Sequence, residues 1–432
     1  MSLSRWRRLA LDVRPLRHSR QFRLLYSAAA VSSIGSFVTY VTIPYQVATI
    51  TKDPLLVGLL GVCELVPILV MGFVGGALAD YVDRRRLMLT AELALTALTG
   101  VLLLNSLSDT PRLWLLYVVA GLTAAVDGLQ RPAMEGLVPR VVTADLIPAA
   151  SALQSLRHQT ASLAGPAVAG LLLASVDLSW VYAADLATFA ASLLLLARMR
   201  PVPPPPRAQR PSLRTVGEGL RYACSRPELL GSYLVDINAM FFAMPSALYP
   251  FVADKMGGPK VLGLLYAAPA VGSLLATLTS GWAGRVRRHG VMVLAAAAAW
   301  GVGIIGAGLT ASLWVTVACL AFAGAADMIS GVFRMSIWNQ TIPDHLRGRL
   351  AGIEMISYTS GPLLGHVRAG LMARWTGVSG SVVAGGVLCV AGTALLAVAL
   401  PRFRRYDAED GLAHKRQAEA AYAAGDQPPA AA

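Results

Sequence analysis

The sequence predicts an all-helical membrane protein that crosses the bilayer many times and is built from two similar halves. Apolar residues make up 55% of the 432 residues and charged residues only 14%, against the roughly 25% that is usual in soluble domains. Uncharged stretches near the roughly 20 residues that a spanning helix needs recur along the whole chain. A proline-rich segment, 201–211, divides the chain near its middle.

Hydropathy predicts twelve spanning helices, six in each half. Several predicted spans are longer than one crossing of the bilayer needs, and we expect tilt or extension into water to absorb the excess. The predicted spans are 22–50, 55–79, 87–107, 113–138, 147–175 and 178–197 in the first half, and 229–253, 261–284, 291–311, 313–342, 350–375 and 378–400 in the second.

Arginine is concentrated in alternate loops and at both ends of the chain, whereas the opposite loops carry few basic residues. Because basic loops stay on the cytoplasmic side, we predict a multi-pass protein of the cytoplasmic membrane with both termini inside. This orientation requires an even number of spans, which agrees with twelve. The net charge of +13 is then explained by orientation and by contact with anionic lipid rather than by nucleic-acid binding.

Composition divides the chain into five predicted segments. The proline run favours a semi-rigid spacer, and the apolar residues after it recur at helical spacing, which predicts an amphipathic helix on the inner leaflet. The polar, Ala- and Pro-rich end of the chain predicts disorder. The segments are a basic cytoplasmic start (1–21), a six-helix bundle (22–198), a cytoplasmic linker (199–227), a second six-helix bundle (228–400) and a disordered cytoplasmic tail (401–432).

A charged loop between the second and third spans carries the clearest motif. Residues 75–88 read GGALADYVDRRRLM, so that an acid and three arginines stand between two apolar runs. The loop resembles the G-x-x-x-D-x-x-G-R-R motif of the major facilitator superfamily. It matches at Gly76, Asp80, Arg84 and Arg85 and departs at Asp83, where the family usually has Gly.

Four further stretches are similar to the enterobactin exporter branch of that superfamily: 201–234, 247–258, 263–284 and 343–352. The resemblance covers roughly residues 20–400. It implies the major facilitator fold, with two pseudo-symmetric six-helix bundles, a central cavity lined by spans 1, 4, 7 and 10, and proton-driven export of small molecules. The branch also includes drug effluxers, and no residue identifies a catecholate ligand.

The resemblance also implies a cytoplasmic gate. If the halves pack as in this superfamily, Asp80 at the inner end of span 2 meets the start of span 11. The unpaired N–H groups of a helix start attract an acid. We therefore predict a gate made of Asp80, Arg84, Arg85, Arg347 and Arg349; the alternative is a loop that only sets topology.

Weak internal repeats support two related halves, an arrangement typical of transporters whose site lies between the halves near the bilayer midplane. The loop after span 8 echoes the loop after span 2, and spans 5 and 11 each contain a Gly-Pro pair. The paired positions are 76–80 and 281–285, Gly165-Pro166 and Gly361-Pro362, and Asp127 with Arg131 and Asp327 with Arg334.

Charges inside spans are expensive, at roughly 2.5–3.5 kcal/mol on insertion scales, so we expect most of them to face protein or a water-filled cavity. Asp127 and Asp327 each share a helix face with an arginine, and the alternative reading is mutual structural neutralisation. Glu64 and Asp236 have no cation within reach on their own helix, although another helix can supply one. The predicted proton-coupling residues are Glu64, Asp127, Asp236 and Asp327.

Polar and aromatic residues on spans 1, 4, 5, 7 and 10 suggest a cavity that suits a bulky amphipathic ligand; the aromatic residues can equally face lipid. The candidate cavity residues are Tyr40, Gln46, Arg131, Arg157, Asn238, Arg334 and Asn339. Gly165, Pro166 and Gly170 resemble the G-x-x-x-G-P-x-x-G-G pattern of drug–proton antiporters, with ordinary small-residue packing as the alternative.

The sequence contains no Walker, G-x-S-x-G or H-E-x-x-H motif and no cofactor fingerprint. We therefore predict no enzyme activity, no cofactor and no metal site, with the proton gradient as energy source. The predicted function is secondary active export of a siderophore-like or drug-like molecule, by proton antiport with alternating access. The expected partners are that substrate and anionic lipid, with the protein a monomer. An importer of the same fold and a transport-inactive sensor or scaffold remain alternatives.

Overall fold

In the computed structural model, residues 12–202, 221–222, 225–343 and 347–423 are described, and within these ranges every regular element is helical. Three short 3-10 helices accompany the α-helices, at Ala144–Leu146, Ser246–Leu248 and Ser280–Arg285. The α-helices are α1 (Arg14–His18), α2 (Arg20–Thr51), α3 (Pro54–Tyr81), α4 (Arg84–Ser106), α5 (Leu113–Val141), α6 (Ile147–Ser175), α7 (Leu178–Ala197), α8 (Pro227–Ala243), α9 (Tyr249–Met256), α10 (Pro259–Leu278), α11 (His289–Leu309), α12 (Leu313–Thr341), α13 (Arg347–Ala399), α14 (Pro401–Arg404) and α15 (Ala408–Ala423).

Ten helical stretches in the described ranges are long and apolar enough to cross a membrane. One of them, Glu354–Ala399 within α13, has 46 residues, more than twice what one crossing needs. Gly377 interrupts its helical geometry with φ 73°, a value that glycine adopts without steric cost. The multi-pass helical membrane fold is therefore confirmed, while a count of twelve spans remains a prediction.

The chain divides into two compact units, and the division does not fall only at the linker. The first unit comprises Met1–Gln46 and Val66–Arg210, and the second comprises Val47–Leu65 and Pro211–Ala432. The end of α2 and the first part of α3 thus group with the second unit, which the predicted boundaries at 198 and 228 did not anticipate. The linker helix predicted after residue 212 lies mostly outside the described residues.

The first unit has a hydrophobic core where the arginine-rich ends of its helices meet. Fully buried side chains come from the starts of α2, α4 and α6 and from the ends of α5 and α7. This core includes Phe22, Leu25, Met88, Leu137, Leu153 and Leu196. It lies beside the loop that carries Arg84 to Arg86, so the charged loop is anchored on a packed base.

The second unit contains close helix contacts made through glycine. A Cβ atom at Gly324 of α12 would overlap the Pro269 carbonyl of α10, and one at Gly272 of α10 would overlap the Ala321 carbonyl of α12. Small residues let the two backbones approach, which is the usual mode of helix packing in membranes. Gly58, Gly61 and Gly370 make similar contacts between α3 and α13.

The segment predicted as a disordered tail instead begins with two helices, α14 and α15, that pack on the second unit. Phe403 is fully buried and lies against Gly231 of α8 and Gly290 of α11. The ammonium group of Lys415 donates to the Asn339 carbonyl at 3.2 Å. Arg287 Nη2 lies 2.5 Å from Glu409 Oε2. Composition alone pointed to disorder because these contacts depend on the ends of helices that are distant in sequence.

Large apolar side chains cover much of the surface, as expected for a protein solvated by lipid. Four of the five exposed tryptophans in the described ranges, Trp114, Trp180, Trp314 and Trp375, stand at the starts of α5, α7 and α12 and just before the break in α13. Arginine asymmetry predicts that all four positions lie at the outer face. Tryptophan prefers the membrane–water interface on either side of the bilayer, so this placement suits helix ends at an interface, and the orientation stays a prediction.

Candidate functional site

The strongest cluster of charged groups inside a predicted span lies in the second unit, where α8 faces α12. Arg334 Nη1 lies 2.5 Å from Asp236 Oδ1, and Arg334 Nη2 lies 3.9 Å from Asp327 Oδ1. The Ser357 hydroxyl donates to Asp236 Oδ2 at 3.3 Å. One guanidinium therefore serves two carboxylates, one on each helix.

The two acids of this cluster differ in exposure. The Asp236 side chain is 5% exposed and the Arg334 side chain 14%, whereas the Asp327 side chain is 41% exposed. The Arg334 Nε atom is buried without a hydrogen-bond partner in the described part of the chain. Because a buried donor without a partner is costly, Arg334 is not fully satisfied by its present partners. The arrangement allows the guanidinium to be shared between acids, or between an acid and a bound anion.

Of the predicted proton-coupling residues, Asp236 and Asp327 thus come together on one cation, and the partner of Asp236 is on another helix. Sequence pattern alone cannot identify that partner, because Asp236 and Arg334 are almost a hundred positions apart. Glu64 is half-buried on α3, in the segment that groups with the second unit. Its neighbour Gly61 packs against the Leu363 carbonyl of α13.

In the first unit, Asp127 and Arg131 are both exposed on α5. Arg131 Nε lies 3.7 Å from Glu135 Oε1, one helical turn further along. Asp127 stands one turn before Arg131, on the same face of the helix, as the spacing predicted. These accessible groups suit contact with solvent or with a ligand better than a closed structural pair.

Several predicted cavity residues are instead used to join helices. Gln46 is 3% exposed and accepts from the Tyr182 hydroxyl at 2.6 Å, which links α2 to α7, and its assignment to the cavity stays a prediction. Arg157 donates to the Ala29 carbonyl at 3.2 Å and also to the Ser33 hydroxyl, which ties α6 to α2. Polar residues within apolar helices were the reason to predict a cavity. Such residues also form hydrogen bonds to one another between helices.

The other predicted cavity residues have mixed surroundings. The Asn238 amide donates to the Cys389 carbonyl at 3.0 Å and to Thr393 Oγ1 at 3.2 Å, which links α8 to α13. Asn339 is exposed and its carbonyl accepts from Lys415. Tyr40 is exposed on α2. Among the seven candidates, Arg334 pairs with acids on two different helices, whereas Arg131 pairs with Glu135 on its own exposed helix face.

The predicted gate residues divide into two groups. Asp80, Arg347 and Arg349 have side chains outside the part of the chain that the structure describes. Arg84 donates to the Gly136 carbonyl, and Arg85 Nη2 donates to the Ala197 carbonyl at 2.6 Å. Both arginines therefore tie the start of α4 to the ends of α5 and α7, where helix carbonyls attract cations. Their role in gating remains a prediction.

Asp83, the departure from the family motif, has a clear structural use. Its carboxylate caps α4 by accepting from the backbone N–H groups of Arg85 at 2.8 Å and of Arg86 at 3.3 Å. It also accepts from the Val202 N–H at 3.2 Å. Aspartate is a favoured N-cap residue, so the position of Asp83 just before α4 could have predicted the cap from the sequence.

The predicted antiporter-like bend lies in the middle of α6. Gly165, Pro166 and Gly170 are buried, and a Cβ atom at Gly165 would overlap the Phe37 side chain of α2. The small residues therefore bring α6 close to α2. Close packing, the alternative reading of this pattern, accounts for Gly165, and the antiporter reading stays a prediction.

A small cavity of about 50 Å³ lies in the second unit, between α9, α11, α12 and the second part of α13. It is lined by residues that include Tyr249, Lys255, Thr316 and Val382. Pockets for drug-sized ligands are roughly 300–1,000 Å³, so this cavity is too small to hold the predicted substrate.

Two acids that the sequence places inside apolar spans, but that we did not predict as proton-coupling residues, are buried in the first unit. Glu92 of α4 and Asp185 of α7 are each 1% exposed, although both stand in long apolar runs. An acid without a nearby basic residue in such a run is itself a signal, and it applied to these two as it did to Glu64 and Asp236.

Comparison with known proteins agrees with this architecture. Residues 11–424 match the family MFS_3, transmembrane secretion effector. The enterobactin exporter EntS of Shigella boydii serotype 4 (strain Sb227) is 28% identical over 407 residues, which cover 91% of this chain and 96% of the relative. EntS of Escherichia coli O1:K1 / APEC is 28% identical over 411 residues, with the same coverage of both chains.

Solved structures of other transporters share the fold. A bacterial homologue of the human lysosomal transporter Spinster superposes with a TM-score of 0.66 at 15% identity, covering 92% of this chain and 99% of that one. A D-xylose–proton symporter superposes with a TM-score of 0.66 at 14% identity, covering 87% and 96%. A bacterial homologue of the iron transporter ferroportin gives 0.62 at 16% identity, covering 89% and 98%. At these identities the likeness concerns the fold alone.

Proposed function

This chain belongs to MFS_3, the family of transmembrane secretion effectors, and from that premise we propose that it exports a small amphipathic molecule, siderophore-like or drug-like, by proton antiport with alternating access. The family and its relatives make the protein a multi-pass membrane transporter and not an enzyme. The enterobactin exporters among its relatives support export and the siderophore-like class of substrate.

One observation carries the coupling mechanism: Arg334 is shared between buried Asp236 and more exposed Asp327. When both acids are ionised, the three groups together carry a net negative charge. That excess negative charge lets the cluster accept a hydrogen-bond donor or a cationic group from a substrate, and a proton arriving at Asp327 or Asp236 removes it. Proton and substrate therefore compete for the cluster, as antiport requires, and loss of the proton restores the site for substrate.

A substrate with phenolic or other hydroxyl groups, or with a cationic group, would donate to the ionised carboxylate of Asp327 with a charge-assisted hydrogen bond, on the oxygens that a proton would otherwise occupy. Proton binding and substrate binding then affect each other through one side chain. Alternating access gives this exchange a direction, with substrate bound from the cytoplasm and protons from outside. Asp127, exposed on α5 of the first unit, is the matching proton candidate there.

The remaining parts of the proposal follow from the same scheme. The protein uses the proton gradient and needs no cofactor. Its partners are the small-molecule substrate and anionic lipid beside the arginine-rich loops, and it works as a monomer with both termini in the cytoplasm. The Asp80, Arg84, Arg85, Arg347 and Arg349 set closes the cytoplasmic side in one of its states.

Transport in everted membrane vesicles tests the proposal, with enterobactin as the first probe. Vesicles acidified inside should accumulate enterobactin, and a protonophore should abolish the accumulation. Asp327→Asn and Asp236→Asn should each reduce uptake to background, whereas Asp109→Asn, which changes an exposed loop acid, should leave uptake unchanged. If enterobactin is not taken up, metabolite profiling of a deletion strain supplies the next probe.

The same experiment separates the alternatives. Uptake that persists in the presence of protonophore would contradict proton antiport. Transport of the probe out of acidified everted vesicles would indicate an importer. A sensor or scaffold is favoured if every acid inside the spans is locked in an ion pair; in the described part of the chain, Glu92 and Asp185 have no cationic partner, which supports a transporter.

A further inference from the structure

The first unit contains two buried acids that play no part in the cluster around Arg334. Glu92 lies on α4 and Asp185 on α7, and each is 1% exposed. Both helices are long and apolar enough to span the membrane. Ionisation of either acid therefore costs free energy. Whether each carboxyl group is protonated or ionised depends on the groups around it.

The surroundings of Asp185 consist of neutral donors. The Thr39 hydroxyl of α2 donates to Asp185 Oδ2, and the Thr188 hydroxyl lies 3.3 Å from Asp185 Oδ1. On α2, Gly35 faces the same carboxyl group, and a Cβ atom there would overlap both Asp185 Oδ1 and Thr188 Oγ1. The absence of a side chain at residue 35 thus makes the space that the carboxyl group occupies.

The surroundings of Glu92 are also neutral. The Gln130 amide of α5 donates to Glu92 Oε2 at 3.2 Å, and the hydroxyl groups of Ser32 and Ser192 lie beside the carboxyl group. Glu92 Oε1 and Ser192 Oγ are both buried without a hydrogen-bond partner in the described ranges. A proton on Oε1 would give the carboxyl group a donor where a buried hydroxyl oxygen has free lone pairs.

Charged groups reach this region mainly from α5. Asp127 stands three residues before Gln130, on the same face of α5, and Arg131 follows it. Helix α2 contributes the hydroxyl groups of Ser32 and Thr39, and α7 contributes Tyr182, one turn before Asp185. Gln130, which donates to Glu92, stands one turn after Asp127 on α5, and Ser192, beside Glu92, stands two turns after Asp185 on α7. Neighbouring carboxylates in such a setting resist ionising together.

From this arrangement we propose that Glu92 and Asp185 form a proton-binding site inside the first unit, which exchanges protons with solvent through Asp127. The exposed Asp127 is the entry, Glu92 the intermediate position and Asp185 the innermost. No bond other than O–H is made or broken, and each proton moves between carboxyl oxygens. The part that this site plays in coupling rests on the proposed antiport; its existence does not.

Infrared spectroscopy of the purified protein in lipid tests the site directly, because protonated and ionised carboxyl groups absorb at different positions. At neutral pH the unaltered protein should show a protonated-carboxyl band. Glu92→Gln and Asp185→Asn should each remove one component of that band, and both substitutions preserve size and hydrogen bonding. Glu135→Gln, which changes an exposed acid of the same unit, should leave the band intact.

A further variant tests whether misfolding, rather than loss of the carboxyl group, removes a component of the infrared band. Ser192→Ala removes the proposed acceptor and should shift the Glu92 component without abolishing it. Spectra that lack a protonated-carboxyl band at neutral pH, or that are the same in Glu92→Gln and Asp185→Asn as in the unaltered protein, would overturn the proposal. A carboxyl signal that changes when Na⁺ replaces K⁺ at constant pH would overturn it too, by assigning the site to a metal ion.

The test stands apart from the transport experiment because no substrate is present. If each variant removes its component of the band while vesicle transport does not depend on the proton gradient, the proton-binding site stands and the antiport proposal fails. If transport is proton-driven but neither variant changes the band, the antiport proposal stands and this inference fails.

Discussion

Arg374 of α13 forms a two-pronged ion pair with Asp53, which lies in the turn between α2 and α3. Arg374 Nε donates to Asp53 Oδ1 at 3.1 Å, and Nη2 donates to Oδ2. Both residues belong to the second unit. The pair fixes the tip of the α2–α3 hairpin on α13, beside the glycine contacts of Gly58, Gly61 and Gly370.

The first prediction concerns acid pH. The hydrogen bonds from Arg374 hold the pKa of Asp53 below its ordinary value. A depressed pKa means that Asp53 stabilises the fold above its unfolded value of about 3.9, and that this contribution is lost as pH falls through the folded value. The melting temperature should therefore decline on acidification more steeply in the unaltered protein than in Asp53→Asn. The difference is small because the Arg374 side chain is half exposed.

Thermal unfolding in detergent between neutral and strongly acid pH measures this difference. Asp109→Asn is the control, because it removes an exposed loop acid and should retain the steep decline. Equal slopes for the unaltered protein and Asp53→Asn would contradict the linkage.

The second prediction concerns the cluster around Arg334. Asp236→Asn leaves a buried guanidinium without its closest partner, and breaking a buried pair in this way costs about 3–5 kcal/mol. The double variant Asp236→Asn with Arg334→Gln removes both charges and should recover much of the lost unfolding free energy. Unfolding in detergent mixtures measures both. The exposed pair Arg131 and Glu135 is the comparison, for which Glu135→Gln should cost less than about 1 kcal/mol.

The third prediction concerns the packing of α12 against α10. Gly324→Ala places a methyl group in the backbone of Pro269, and overpacking of this kind typically costs about 1–3 kcal/mol. Gly331→Ala lies on the same helix with no neighbouring atom within 4 Å of the added Cβ. It should be neutral or slightly stabilising, because alanine favours helix over glycine by about 1 kcal/mol. Similar melting temperatures for the two variants would contradict the proposed contact.

The fourth prediction concerns the cap of α4. Asp83→Ala removes the hydrogen bonds to the N–H groups of Arg85, Arg86 and Val202 and should destabilise the protein by about 1 kcal/mol. Asp83→Asn keeps an acceptor and should cost less. Thermal unfolding compares the two, and an alanine variant as stable as the asparagine variant would assign Asp83 a role other than capping.

Hydropathy and arginine placement predicted the helical membrane fold, because long apolar runs have few other stable forms in lipid. They did not predict that the end of α2 and the start of α3 would group with the second unit, since this depends on glycine contacts between distant helices. The Asp236–Arg334 pair could not be predicted either, because it joins two helices that are far apart in sequence. The hydrogen bond between Gln46 and Tyr182 could not be predicted either, because the two residues are far apart in sequence and a polar residue gives the same pattern whether it faces water or a hydroxyl group.

The buried Phe403 has a consequence for how the protein is made. Synthesis runs from the first residue to the last, so Phe403 is made well after Gly231 and Gly290, the two residues that it contacts. The packing between α8 and α11 is therefore completed only once residue 403 has left the ribosome, and a chain cut just before Phe403 would leave a gap between these helices.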